Sequence, residues 1–259
     1  MKQFLTLLKY ELLNVLRGRW LFFYTLLFSG VSYAIAKLGG DSMKAALSLL
    51  NMVLLVTPIV SILYSAIYWY NSDGFTTLLL TQPLRRWGIF ASRWIAISLT
   101  LSLCFVVGTA LPFVIDKTLT GAIINLLLMG TGLTFAFTSI GLLVSVIFND
   151  RMKGIGAAFL LWFYFSIVHD GLVFLTMVIF REYPLEKPSM ALVASNPIDL
   201  TRIMLLMKFD VAALMGYTGR VLQRFFSNNW GYWATLLVLL LWIIIPLAAS
   251  IRRFNKKDF

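Results

Sequence analysis

Apolar and polar residues fall in long alternating blocks along this chain. Apolar runs of about the 20 residues needed to cross a bilayer as an α-helix occupy Trp20–Leu38, Ala45–Tyr70, Ile95–Ile115, Gly121–Phe148, Ile155–Phe180 and Tyr232–Ile251. Each predicts a transmembrane helix, so the expected fold class is all-α, a polytopic membrane protein with six spans. The stretch before the first block has a different rhythm. At 100° per residue, Phe4, Leu5, Leu8, Leu12, Val15 and Leu16 share one face of Met1–Arg19. Lys2, Gln3, Lys9, Asn14 and Arg17 share the other, with Leu13 out of place. This predicts an amphipathic helix lying in the membrane interface, basic side toward the headgroups. The domain division that follows is 1–19 interfacial and 20–259 membrane-spanning.

Details inside the blocks refine the picture. Ala34-Ile35-Ala36 imitates a signal-peptidase site, but the polar region before it is too long and regular for a signal. Pro58 kinks the second span, which membrane helices tolerate. The fourth span carries Gly130, Gly132, Ser139, Gly141 and Ser145. Small residues let helix backbones approach, so this span is expected inside the bundle.

Two interruptions are too long to be simple turns. The first is Asn71–Trp94, NSDGFTTLLLTQPLRRWGIFASRW. Asp73-Gly74 is a turn signal. Thr76 to Thr81 follows as a short helix or extended run, stopped by Pro83. Arg85, Arg86 and Arg93 sit among Trp87 and Trp94, a mixture that fits the membrane–water boundary. The second is Arg181–Gly231, with Pro184, Pro188 and Pro197. There Asn196-Pro197-Ile198-Asp199 reads as a helix start: Asn as N-cap, Pro at the first helical position, Asp in the first turn. The helix is expected to reach about Leu214. Gly216 and Gly219 bracket a turn, and Arg220–Phe226 is a further short helix.

Charge then orients the spans. Only 13% of residues are charged and 60% are hydrophobic, with a mean hydropathy of +0.86. A soluble domain carries about 25% charged residues, so lipid solvates most of this chain. The net charge of +11 would suggest nucleic acid in a soluble protein. Here the basic residues flank the spans, so topology and anionic headgroups explain them and no nucleic-acid partner is expected. With both termini inside, inner loops hold 13 Lys and Arg against 3 in the short outer loops. Both termini are therefore expected in the cytoplasm, with Arg181–Gly231 outside.

Sequence chemistry is sparse. No GxxxxGK[ST], HExxH or CxxC occurs, so neither a phosphate-cradling loop nor a zinc motif is expected. The one cysteine, Cys104, lies in an apolar run and cannot make a disulfide within one chain. No catalytic residue and no metal ligand is assigned. His169-Asp170 is the sharpest polar feature inside a span, where ionisable groups cost about 2.5–3.5 kcal/mol. Two readings stay open: an intramembrane proton, ion or coupling site, or a protonated Asp bonded to a neighbouring helix. Adjacent helical positions point about 100° apart, which argues against the two sharing a metal. Met204, Met207 and Met215 are soft donors for cuprous copper, but methionine at helical spacing is ordinarily packing.

The pattern resembles the permease subunits of type-2 ABC exporters, and among them the NosY permeases of nitrous oxide reductase maturation. The resemblance rests on Asp73-Gly74 with Thr76 and Thr77, Leu78-Leu79-Leu80, Pro83-Leu84, Arg86 and Arg93 in the first long loop. Phe148-Asn149-Asp150-Arg151, Leu161-Trp162-Phe163 through Asp170, and Asn196-Pro197-Ile198-Asp199-Leu200-Thr201-Arg202 continue it. Phe75 and Arg85 depart from the loop pattern. The resemblance implies a homodimer in the inner membrane, bound to a NosF-like cytoplasmic ATPase that holds ATP and Mg, and to a NosD-like periplasmic protein. It implies that Asp73, Gly74, Thr76, Thr77, Pro83, Arg86 and Arg93 couple to the ATPase. Asn196, Pro197, Asp199 and Arg202 would serve the outer partner, in a machine supporting copper-site assembly. An exporter of a lipid, drug or peptide, and an intramembrane enzyme using His169 and Asp170, are the rival classes.

Overall fold

The computed structural model describes residues 2–38, 42–82, 85–180, 186–208 and 229–256, and these are helical apart from short connections. Helix α1 (Lys2–Leu16) precedes α2 (Arg19–Leu38) and α3 (Ser42–Asn71). A short α4 (Asp73–Leu80) leads to α5 (Arg86–Ile115) and α6 (Gly121–Ile147). Then α7 (Arg151–Phe163) passes through a π-turn at Tyr164–Val168 into α8 (His169–Ile179). The chain continues with α9 (Glu186–Ala194), α10 (Pro197–Lys208) and α11 (Asn229–Lys256). Six of the described helical stretches are long and apolar enough to span a membrane. No strand occurs among the described residues. The expected all-α, six-span class is therefore what the chain adopts.

Span α6 is the axis of the bundle, packed against α3, α5 and α11, with α2 lying on α5. It is the most buried of the spans, as its small residues predict. A Cβ on Gly141 would come 2.5 Å from the Ile62 carbonyl of α3, so only glycine admits this approach. Gly108 does the same for α5 against the Thr25 carbonyl of α2, at 2.8 Å.

Two boundaries move relative to the sequence expectation. The third span begins at Arg86 rather than Ile95, and the fifth at Arg151 rather than Ile155. Long basic side chains extend a span past its apolar limit because their heads reach the interface. The first long interruption thus shortens, and Arg93 belongs to a span.

The second long interruption, expected outside the membrane, is placed differently. Helices α9 and α10 form a hairpin that enters the bundle. Its turn reaches the middle of two spans: Trp242 Nε1 of α11 donates to the Ala194 carbonyl at 3.0 Å. Asn196 Nδ2 donates to the Phe165 carbonyl at 2.8 Å. Ile198, Leu200, Ile203, Met204 and Leu205 are buried. Non-helical backbone at membrane depth needs its polar groups satisfied; here Asn196 is buried and the N–H of the exposed Ser195 bonds to the Ala191 carbonyl at 3.0 Å. Helix α10 starts at Pro197 as expected, with Asn196 Oδ1 accepting from the Ile198 N–H at 3.0 Å. Met204 is core and Met207 packs against it. The expected turn at Gly216 and Gly219, the helix at Arg220–Phe226, and Met215 lie outside the described residues.

Candidate coupling site

Two polar networks sit at different depths of the bundle. The first is at the end where α1, α4 and the last turn of α11 gather. Arg93 occupies the buried face of α5, in step with Ile89, Phe90 and Ile97, and is wholly buried. Its Nε and Nη2 donate to Glu11 Oε1 of α1 at 3.3 and 3.2 Å. Its Nη1 donates to Thr76 Oγ1 of α4 at 2.9 Å. The guanidinium carbon lies 5.1 Å from the Trp69 ring centre in α3, a cation–π contact. Thr76 passes its own proton to the Ser72 carbonyl at 2.8 Å. Tyr68 donates to the second Glu11 oxygen at 2.6 Å, and Asn14 Nδ2 donates to the Tyr68 hydroxyl at 2.8 Å.

One guanidinium therefore ties α1, α3, α4 and α5. Both charges are dry, with side-chain exposures of 0% and 1%. Such a pair is no proof of net stabilisation. Removing one partner, though, costs about 3–5 kcal/mol because the other charge is stranded. Aromatic rings extend the cluster to the carboxyl end of the chain. Phe254 of α11 lies 5.5 Å from Trp69 and 5.7 Å from Phe90, centre to centre. Arg86 Nη1 donates to the Asn255 carbonyl at 3.2 Å.

The second network holds the hairpin. Asn196 is buried at its turn and spends both Nδ2 protons, one on Phe165 O and one on Asp199 Oδ2 at 2.8 Å. His169 Nδ1 lies 2.8 Å from Asp199 Oδ2 and 3.2 Å from Asn196 Nδ2, which closes a three-residue cluster. His169 Nε2 faces Ser195 Oγ at 2.9 Å, and Ser195 also reaches the Leu192 carbonyl at 2.6 Å. The single hydroxyl proton serves one of the two. Arg202 Nη1 bridges Asp170 Oδ2 at 2.9 Å and Asp199 Oδ1 at 3.0 Å. The π-turn before His169 is the kind of local widening that marks working positions in helices.

His169, Asp170 and Asp199 each offer an atom within 4.8 Å of the others. The 100° argument against shared contacts thus fails, because α10 lies across the faces of both His169 and Asp170. A cation is nevertheless poorly suited here: Arg202 already supplies the positive charge between the carboxylates.

Residues 71–259 match the profile of the ABC-2 family transporter proteins. The chain belongs to the ABC-2 family. This permease is 27% identical to the probable ABC transporter permease protein NosY of Pseudomonas aeruginosa, over 97% of this chain and 98% of that protein. It is likewise 27% identical to the probable NosY permease of Stutzerimonas stutzeri, over 81% and 83% of the two chains.

The sequence-assigned residues of this ABC-2 chain divide by position. Asp73, Gly74 and Thr77 lie on α4 at the surface, and Arg86 opens α5. Thr76 and Arg93 are buried and cannot meet a partner directly; they belong to the internal network. Pro83 lies outside the described residues. His169 is buried and Asp170 half-buried, both in the hairpin network. Asn196, Pro197 and Asp199 are inside the bundle, so they present no surface to an outer protein, and Arg202 is half-buried. Sequence reasoning missed Glu11, Tyr68, Trp69 and Ser195. Glu11 had a signal: at 100° per residue it falls within the apolar face of its helix, near Phe4 and Val15.

Proposed function

We propose that this permease works as a homodimer in the inner membrane, with both termini cytoplasmic, converting ATP-driven closure of a separate ATPase into displacement at the outer face. The carrying observation is the two-sidedness of α4. Thr76 and Leu79 are buried, and Thr76 is held by Arg93, while Phe75 and Leu78 are exposed. A short helix anchored on one side and apolar on the other, outside the spans, suits a docking element for a motor subunit. Because Arg93 also grips α1 and α3, a push on α4 moves several elements together. Rigid-body rocking between packed arrangements is an established route for such transmission.

ATP and Mg are held by the ATPase in this reading. The likeness to the NosY permeases supports the finer assignment, support of copper-site maturation on nitrous oxide reductase through a NosD-like outer protein. The test is purification of the intact complex. A stoichiometric cytoplasmic ATPase with a periplasmic β-helix protein is expected. An ATPase found with an accessory pump and transport of a lipid, drug or peptide would replace the maturation role.

A further inference from the structure

The cavity at the bundle end near the chain's carboxyl terminus has no part in either network. It measures about 880 Å³ and opens between the last turns of α6 and α11. Its apolar wall is Leu143, Val146 and Ile147 of α6, at helical i, i+3, i+4 spacing, facing Ala249 of α11. Its charged wall continues the same face of α11 with Arg252, Arg253 and Lys256. All three cations are exposed, and none is in an ion pair among the described residues.

We infer that this cavity binds an anionic phospholipid, with its headgroup phosphate on Arg252, Arg253 and Lys256 and its glycerol and upper acyl carbons against Leu143, Val146 and Ala249. Three features select this ligand class. The apolar wall belongs to membrane spans, where acyl chains are the available solvent. The cations follow one turn later, at the depth of headgroups. Basic pockets between spans on the cytoplasmic side bind such headgroups. The converging carboxyl ends of α6 and α11 contribute only about half a negative charge each, so three full positive charges prevail. A zwitterionic headgroup would bring its ammonium into the same field and gain less. The cation assignment is independent of the motor-coupling proposal; only the choice of inner leaflet rests on the orientation proposed above.

The experiment uses the full chain in its native complex, in nanodiscs of phosphatidylcholine with or without phosphatidylglycerol. Retained lipid is quantified by native mass spectrometry after delipidation. Wild type should retain phosphatidylglycerol over phosphatidylcholine. R252Q/R253Q/K256Q should weaken retention roughly tenfold or more. A249F keeps every charge and fills the cavity floor, and should weaken it comparably. Loss only in the charge variant would mean diffuse surface attraction and overturn the cavity site. Equal retention of both lipids would overturn the headgroup assignment. Competition by inorganic phosphate as effective as by phosphatidylglycerol would assign a free anion instead. Loss of the ATPase from the charge variant with lipid retention unchanged would assign the face to motor docking and overturn the lipid site.

Discussion

Arg93 Nη1 lies 2.9 Å from Thr76 Oγ1, so the third span grips the short helix that precedes it. The same guanidinium holds Glu11, which brings the amino-terminal helix into one unit with α4. Elements that are far apart in sequence are thereby joined through a dry ion pair rather than through surface contacts.

Substituting one member should be costly. Glu11→Gln or Arg93→Gln strands a buried charge or leaves its donors unmet, with an expected loss of about 3–5 kcal/mol. The double change E11L/R93M removes both charges and should recover most of it. Denaturation in bicelles measures the difference; a double-variant loss equal to the sum of the two single losses would mean that the pair is not coupled.

Leu78→Arg changes the exposed side of α4 and leaves Thr76 in place. Its expected effect is loss of the ATPase from the purified complex with an unchanged melting temperature. Retention of the ATPase would remove α4 from the docking surface.

The spans were legible because lipid demands about 20 apolar residues whatever the packing. The amino-terminal helix was legible too, but not its ion pair: nothing along the chain links Glu11 to Arg93. Both stand alone in apolar faces, which is how a buried pair looks from sequence when its partner is distant. The hairpin was obscured differently. Helices of 9 and 12 residues are too short to register as spans, and the prolines around them read as loop punctuation. Only the Asn196-Pro197 start carried a local signal strong enough to place α10.

Asn196 has a role that this local signal understates. As a cap alone, replacement by Ala costs about 1 kcal/mol. Here N196A also removes the donors to Phe165 O and Asp199 Oδ2. Hydrogen exchange over residues 186–208 should speed up well beyond what a lost cap produces. Exchange unchanged there would mean that the hairpin is held by its apolar contacts alone.

The most direct test of the lever is a pair of distances from nitroxide labels in the reconstituted complex. Leu5 on α1 and Thr81, which closes α4 beyond its docking face, are exposed and suit labelling. On adding ATP, the distance between Leu5 and Thr81 of one protomer should stay constant, and that between the two Thr81 positions of the dimer should shorten. A change within the protomer, or no change between protomers, would contradict transmission by one rigid unit.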